Sequence, residues 1–508
     1  MALSEQEKDS RYSFIRYKTF RFQKKYGIPK SNAELFVANS LGIQYEDLWS
    51  DELTPMPCWA DLCQSMVPEI EKQNHTLLVN MGIEYVSIWI TPTILKKNII
   101  DATTIIRDLL LSNNIHDYEH QKQGTQHKVT KQAFFINRNI TLTTVSMYRP
   151  ETKQGDPRIW FSGLKYFCES GDELSLLCLN ETCYIINLSK FSLKSFNFKQ
   201  YELFDIKAGR TPQLVSKNTS PKIEDTIKKA LNFIEEHLRN PLSENANKLL
   251  NQFRMLKGVP ITYLKREQGK KFDTDVGMAI EAQLGIKANS KKDPDYHGIE
   301  LKAWRIKKGK GNRHTLFTQV PDWKYSMKNL CRDWHEFTSL VGYPCRKEDA
   351  RKALGSAARE LKCTTTALKP NAQDLILTIN SRADIVIEGT TKPNPKALLV
   401  WSGQSLRKRL KEKHPETFWI ECRSTEDHNG NETFYVKRIH YTRSPLIYQF
   451  LALIEIGIIT LDHMIGYRKN DNQKYFLSER GPSWKIHDSN LNLLFPDPII
   501  INIEDSNT

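Results

Sequence analysis

The ten residues 295–304, DYHGIELKAW, constrain the fold most strongly because they join a turn signal to an alternating strand pattern. Pro294 and Gly298 are typical of a turn. Apolar and polar residues then alternate to the end of the segment, which predicts a short β-strand. A period of two residues puts Glu300 and Lys302 on the same face of that strand.

The charged residues of this segment suggest a chemistry. Asp295 enters from the turn and can meet the face that carries Glu300, so that two carboxylates converge on one point. Such a pair suits a hard divalent cation such as Mg²⁺. Lys302 beside them can orient or deprotonate an attacking water and offset charge on a phosphoryl group. These groups can hydrolyse a phosphodiester, although an exposed charged strand would carry the same short pattern.

A helix is predicted immediately upstream, over residues 274–286. Its apolar positions Val276, Ile280 and Leu284 recur at helical spacing, and Gly285 is placed to end it. Glu281 projects from this helix 14 residues before Asp295.

The helix, turn and strand resemble the catalytic segment of the MvaI/BcnI restriction endonucleases, relatives of the MutH nicking enzyme. In that family a helix with a glutamate precedes a proline-aspartate turn and a Glu-Leu-Lys strand. The resemblance covers roughly residues 245–500. Further matching segments are Thr315–Thr318 with Pro321 and Trp323, Leu398–Trp401, Thr417–Trp419, His440–Pro445 and Leu494–Pro496.

The resemblance implies an α/β chain whose C-terminal part has the PD-(D/E)xK, restriction-endonuclease-like fold with a mixed sheet. It implies a type II restriction endonuclease that cuts double-stranded DNA with Mg²⁺, or with Mn²⁺ as a substitute. Asp295 and Glu300 would bind the metal, Lys302 would act on the water, and Glu281 would be an outer carboxylate. A methyltransferase of the same system is an expected partner.

Base recognition is expected in a predicted hairpin, 418–440, whose turn signal is His428–Asn431. By resemblance, the candidate base-reading residues are Glu421, Arg423, His440 and Arg443. Arginine can bind guanine through two hydrogen bonds, and a carboxylate can accept one from cytosine. Cross-strand ion pairs on an exposed hairpin are the alternative interpretation.

A basic cluster follows the predicted catalytic strand. Lys307, Lys308 and Arg313 could grip the DNA backbone near the scissile phosphate, which would make affinity salt-dependent. A charged turn without this role is the alternative. The dense basic helix predicted at 407–414 could also face DNA, but such charge runs usually mark solvated faces. Residues 324–368 are predicted to be helical scaffold.

The composition favours a polyanionic partner, since the net charge is +14 and the isoelectric point is near 9.1. The nine cysteines contain no Cys-x-x-Cys pair, which argues against a zinc site or a disulfide framework. The polar N-terminus lacks a signal core, and the apolar run 446–461 is too short and polar to cross a membrane. A soluble, cytoplasmic protein is expected.

The length of 508 residues allows two or three domains. We predict a helical N-terminal extension over 1–75 and a β-rich, barrel-like α+β domain that binds DNA over 76–210. A linker with a connecting helix follows over 211–244, and the catalytic domain occupies 245–508.

A basic loop in the β-rich domain carries Arg149, Lys153 and Arg158 around Gly155 and Pro157. Such a loop can lay cations along phosphates or reach a base edge. Its placement resembles the effector-binding loop of the B3-like N-terminal domain of EcoRII, which would imply a second DNA copy bound there as an effector. An ordinary solvated loop is the alternative.

Three other functions stay open. A nuclease triggered by modified bases and a MutH-like nicking enzyme would use the same catalytic groups. A catalytically silent DNA-binding regulator is disfavoured because Asp295, Glu300 and Lys302 are all present.

Overall fold

The structure is a computed structural model of the chain, and it divides into two compact units, Met1–Asn247 and Lys248–Thr508. The residues that the structure describes are 5–26, 28–41, 43–49, 68–80, 82–152, 155–196, 200–206, 211–215, 221–239, 242–262, 272–286, 293–306, 312–325, 330–381, 383–392, 395–428, 431–469, 472, 474–479, 481–495 and 498–504.

The helices lie in both units. Those of the N-terminal unit are α1 (Glu5–Tyr26), α2 (Lys30–Leu41), α3 (Glu69–Asn80), α4 (Pro92–Lys97), α5 (Thr104–Ser112) and α6 (Pro221–Arg239), and α7 (Glu244–Met255) crosses the division between the units. Those of the C-terminal unit are α8 (Asp275–Gln283), α9 (Trp334–Val341), α10 (Glu348–Leu354), α11 (Gly403–Lys413), α12 (Phe450–Glu455) and α13 (Leu491–Leu494).

In its described residues, the N-terminal unit is built on a nine-stranded mixed sheet. Seven strands follow the order β1-β6-β7-β3-β4-β5-β2, β8 pairs with β4, and β9 pairs with β8. Its strands are β1 (Tyr85–Trp89), β2 (Ile100–Asp101), β3 (Val129–Ile136), β4 (Ile140–Tyr148), β5 (Arg158–Phe161), β6 (Glu173–Leu179), β7 (Thr182–Asn187), β8 (Leu203–Asp205) and β9 (Gln213–Leu214). A β-rich unit is therefore present, while its barrel-like form and DNA binding stay predictions.

The described residues of the C-terminal unit form three sheets. Their strands are β10 (Ile261–Thr262), β11 (Ile299–Arg305), β12 (Arg313–Thr318), β13 (Tyr343–Pro344), β14 (Arg359–Thr365), β15 (Leu375–Asn380), β16 (Ile385–Thr390), β17 (Lys396–Ser402), β18 (Glu416–Glu426), β19 (Glu432–Arg443), β20 (Ile459–Lys469), β21 (Tyr475–Ser478), β22 (Ser483–His487) and β23 (Ile499–Asn502). The first sheet has the order β10-β19-β18-β11, with β23 beside β19. The second is β12-β22-β20-β14-β13, with β21 beside β20, and the third is β15-β16-β17.

The first sheet carries the predicted catalytic strand. β11 pairs in parallel with β18, and β18 forms an antiparallel hairpin with β19. The paired strands are anchored in the core by buried apolar side chains, namely Ile299 and Leu301 of β11 and Phe418 and Ile420 of β18. Each such side chain contributes roughly 1.5–3 kcal/mol when it leaves water. The mixed α/β class predicted from the sequence is confirmed.

One local prediction was wrong. Residues 324–368 were expected to be helical, and α9 and α10 do lie there, but β14 runs through the same segment in the second sheet. Its sequence, RELKCTT, begins with good helix formers, and pairing with β20 from Leu361 to Thr365 overrides that local preference.

None of the helices in the described parts of the chain has the length and apolarity needed to span a bilayer.

Candidate active site

A tight turn brings Asp295 back onto β11, the predicted catalytic strand. Tyr296 and Ile299 exchange two backbone hydrogen bonds of 2.9 and 2.7 Å. Between them His297 and Gly298 have φ values of 43° and 91°, and a glycine adopts such a value without steric cost. The Asp295 Oδ2 atom then accepts a hydrogen bond of 2.9 Å from the Leu301 amide. The spacing of four residues between the two carboxylates thus has a structural reason.

Glu300 and Lys302 point to the same side of β11, as the period of two predicts. The Lys302 Nζ atom lies 2.7 Å from Glu300 Oε1, and the Glu300 side chain is 2% exposed. Removing a carboxylate from water is costly unless a positive charge compensates it. Lys302 supplies that charge, and its own amine keeps partial access to solvent.

The carboxylates lie close enough to repel one another. Burial raises the pKa of Asp295, and the neighbouring charge of Glu300 raises it further. Burial also raises the pKa of Glu281 on α8, with added contributions from the charges of Asp295 and Glu300. Like charges in one site favour protonation of some of them or binding of a cation. All four predicted catalytic residues, including Lys302, are therefore gathered in one place.

A second lysine completes this site. The Lys413 Nζ atom lies 2.6 Å from Glu300 Oε2 and 3.7 Å from Asp295 Oδ1, and it donates a hydrogen bond of 3.0 Å to the Asp293 carbonyl oxygen. Sequence reasoning missed this residue. The only signal was the basic helix at 407–414, which was assigned either to DNA or to solvent.

Helix α11 holds Lys413 in place because two of its neighbours are buried and bonded. Arg407 forms two hydrogen bonds of 2.7 and 2.8 Å with the Asp384 carboxylate. His414, directly after the helix, is fully buried and stacks on Trp419 with an interplanar angle of 5°. Only part of the basic helix therefore faces solvent. Lys408 belongs to that part, and its side chain is 73% exposed.

The donor set at the site is suited to a hard cation. The Asp295 and Glu300 carboxylates supply oxygen ligands, and a lysine ammonium already sits against both of them as a positive charge. Among the described residues, no three His, Cys, Asp or Glu side chains are grouped to hold a metal on their own. Two protein carboxylates still fit Mg²⁺, which commonly keeps several waters and binds substrate phosphate.

The predicted base-reading hairpin continues the same face of the first sheet. Glu421 is the register partner of Trp304, which lies two residues beyond Lys302 on β11, roughly 6.6 Å along the strand. The Glu421 carboxylate lies 3.0 Å from His440 Nε2 and 3.3 Å from Arg438 Nε. Burial alone would raise the pKa of Glu421, but the hydrogen bond with His440 and the nearby cations lower it. The carboxylate is therefore ionised and able to accept hydrogen bonds.

The C-terminal unit matches a known family. The model of the MvaI/BcnI restriction endonuclease family covers residues 253–495. The resemblance predicted from the sequence is confirmed for this part of the chain, as is a DNA-cleaving enzyme.

Solved structures similar to the chain include restriction endonuclease MvaI in complex with its cognate DNA substrate. It is 19% identical, with 52% of this chain and 99% of that chain covered and a TM-score of 0.42. The structure of MvaI in the absence of DNA is 17% identical, covers 51% of this chain and 98% of its own, and has a TM-score of 0.30. No curated protein matches the chain. The EcoRII-like resemblance of the N-terminal part stays a prediction.

Three other candidate DNA-binding residues of the C-terminal unit already have protein partners. Arg423 lies 3.1 Å from Glu504 and over the ring of Tyr435. Arg443 donates to the Tyr441 hydroxyl at 3.1 Å. Arg313 lies 2.8 Å from Asp462 on the second sheet. Contact with DNA would require each to share or exchange its partner. Lys307 and Lys308 lie outside the described residues.

In the N-terminal unit, Arg149 braces the predicted basic loop. Its guanidinium donates to the carbonyl oxygens of Gly155, Tyr118 and Gln121 at 3.0, 3.4 and 3.4 Å. Arg158 is partly buried on β5, and Lys153 lies outside the described residues. DNA binding by these three residues stays a prediction.

Proposed function

We propose that the protein is a Mg²⁺-dependent type II restriction endonuclease that hydrolyses double-stranded DNA at a specific sequence. The observation that carries this proposal is that Asp295, in the turn before β11, meets Glu300 of β11 beside Lys302 of the same strand. That strand belongs to the MvaI/BcnI-family domain, so the site has the acidic and basic groups that the reaction needs.

Asp295 and Glu300 are the residues that would hold the metal. Bound there, Mg²⁺ would stabilise the negative charge that develops on the scissile phosphate, and Mn²⁺ would serve as a substitute. The burial of Glu300 supports this role because a desolvated carboxylate interacts strongly with a cation.

Lys302 would position the attacking water, and the positive charge of its ammonium would stabilise the hydroxide that remains when the water loses a proton to solvent. Its ammonium is anchored by Glu300 Oε1 at 2.7 Å, which fixes its direction relative to the carboxylates. Glu281 would act as an outer carboxylate. Burial and the charges of Asp295 and Glu300 raise the pKa of Glu281, which favours the protonated form of this carboxylate.

The DNA would lie along the face shared by β11, β18 and β19. The catalytic pair and the Glu421–His440 pair both occur on this face, which supports cleavage and base recognition in one groove. Glu421 would accept a hydrogen bond from a cytosine amino group, and His440 would contact a neighbouring base edge.

The N-terminal unit would be a second DNA-binding unit that regulates cleavage as an effector site. A cognate methyltransferase would protect host DNA, and the enzyme would act in the cytoplasm. Support for this part comes from the β-rich fold, the basic loop and the positive net charge.

The deciding experiment is run-off sequencing of plasmid incubated with the wild type and with Lys302→Ala, in Mg²⁺ and in EDTA. We expect a single cut sequence for the wild type in Mg²⁺ only, and no cutting by Lys302→Ala although DNA binding survives. Lys408→Ala is the matched control, since Lys408 is an exposed lysine elsewhere in the same domain. Unchanged cleavage by Lys302→Ala would refute the catalytic assignment.

The same assay separates the alternatives. Cleavage of methylated plasmid only would indicate a modification-dependent nuclease, and accumulation of nicked circles would indicate a nicking enzyme. Binding without cleavage in Mg²⁺ or Mn²⁺ would indicate a silent regulator.

A further inference from the structure

We propose that Lys413 is a built-in counter-cation that occupies the metal position between Asp295 and Glu300 and competes with the divalent cation for it. This inference rests on the proposed function, because it assumes that these two carboxylates are the metal ligands. It assigns a role to a positioning residue that the Asp-x4-Glu-x-Lys pattern does not contain.

The surroundings of the Lys413 ammonium resemble those of a small cation. Oxygens from Glu300, Asp295 and the Asp293 carbonyl lie 2.6, 3.7 and 3.0 Å from Nζ. The Asp293 carbonyl accepts a hydrogen bond from this ammonium, and the Glu300 and Asp295 carboxylates contact it as ion pairs. A hard divalent cation also prefers carboxylate and carbonyl oxygens.

The charges explain why this lysine is more than a structural ion pair. Glu300 already has Lys302 at its Oε1 atom, so that Lys413 adds a second ammonium to the same carboxylate, at Oε2. Asp295 and Glu300 therefore face two ammonium groups, and Glu281 is a third carboxylate near them. A divalent cation would raise the positive charge at oxygens that Lys413 already occupies, so the two cations repel each other.

The position of Lys413 at the end of a helix favours a cation at this site. It is the last residue of α11, where the partial negative charge of the helix C-terminus favours a cation. Its side chain is 14% exposed, which holds the ammonium in the site while leaving a route to solvent. The ammonium can therefore retreat toward the edge of the site when a metal enters.

The test is calorimetric titration of metal-free, full-length protein with Ca²⁺ alone, in the absence of DNA. We expect Lys413→Met to bind Ca²⁺ more tightly than the wild type, by about 5- to 150-fold, the usual range for coupling between two binding events. Lys413→Arg should keep the weak affinity because it retains the charge. Lys408→Met, a change at an exposed lysine on α11, should leave the affinity unchanged. Thermal melts establish that each variant is folded.

Affinity for Ca²⁺ that is equal or weaker in Lys413→Met than in the wild type would overturn the inference. The proposed function is judged separately by Mg²⁺-dependent plasmid cleavage. If the wild type cuts DNA and Lys413→Met gains no affinity, only the counter-cation role fails. If the wild type neither cuts DNA nor binds Ca²⁺, the metal site and the counter-cation role fail together.

Discussion

The Nε2 atom of His414 lies 2.7 Å from the carbonyl oxygen of Leu316, and its Nδ1 atom lies 2.9 Å from the hydroxyl of Thr417. A carbonyl can only accept, so Nε2 carries the proton and Nδ1 accepts from the hydroxyl. The residue next to Lys413 is thereby tied to β12 and to β18. These bonds fix the end of α11 against the sheet that carries the active site.

Loss of this histidine should destabilise the domain and loosen Lys413. His414→Ala leaves a buried carbonyl and a buried hydroxyl without their partner, at a cost of about 1–3 kcal/mol, and removes the packing on Trp419 as well. We expect a lower free energy of unfolding in urea. His120→Ala, at a histidine that is 87% exposed, is the control and should unfold like the wild type. Equal stability of the two variants would contradict the anchoring role.

The same histidine should shape the acid side of the stability profile. Burial lowers the pKa of His414 from 6.5 to about 3, so the folded protein keeps it neutral while the unfolded chain takes up a proton. Its contribution to stability is therefore full above pH 6.5 and is lost as the pH falls toward 3. In urea titrations across this range, His414→Gln should lose stability less steeply than the wild type. A slope identical to that of the wild type would show that His414 is not neutral in the fold.

Neutralising Asp295 should stabilise the protein at the expense of activity. Burial and the charge of Glu300 raise the pKa of Asp295, so its ionised form is less stable in the folded state than in the unfolded chain. That penalty grows as the pH rises through the raised pKa and disappears below the ordinary value of about 3.9. Asp295→Asn should therefore gain about 0.5–2 kcal/mol near pH 7 and nothing at low pH, with DNA cleavage lost.

The control for this prediction is an aspartate whose pKa is lowered and not raised. A hydrogen bond with His120 lowers the pKa of the exposed Asp117, so Asp117→Asn removes a favourable interaction and should bring no gain. Thermal melts at pH 7 and near pH 3.5 measure both variants. A melting temperature of Asp295→Asn that stays at or below the wild type at pH 7 would contradict the expectation.

The proximity of Asp295, Glu300 and Lys302 could be predicted because their geometry is local. Six residues from Asp295 to Glu300 contain the turn, the glycine and the start of the strand, and a period of two fixes the side to which Lys302 points. Glu281 is nearby in sequence and lies on a helix with a clear apolar pattern. Local rules of turn and strand conformation are enough for these positions.

Lys413 could not be predicted in the same way, because 111 residues separate it from Lys302. Its role depends on the pairing of β11 with β18 and on the burial of Arg407 and His414, which together set the end of α11. The wrong prediction for β14 has the same explanation, since a residue's conformation there depends on a distant partner. Its strand conformation comes from pairing with β20, a partner about 100 residues away.

The Glu421–His440 pair should control sequence choice more than overall affinity. Phosphate contacts supply most of the affinity for DNA, and base-edge contacts supply the discrimination between sequences. Replacing Glu421 by Ala removes the acceptor for a base amino group and frees His440 from its 3.0 Å partner. We expect discrimination against sites with one altered base pair to fall by about 1–3 kcal/mol at one position of the site.

Competition binding in Ca²⁺, with the cut sequence and its single-base variants, measures this effect, and the salt dependence of binding is recorded in parallel. The slope of log affinity against log salt should stay as in the wild type, because no cation has been removed. Glu426→Ala provides the matched control, since Glu426 is an exposed glutamate at the far end of the same strand and should leave the preference intact. A uniform loss of affinity for all sequences in Glu421→Ala would instead identify the pair as a structural brace of the hairpin.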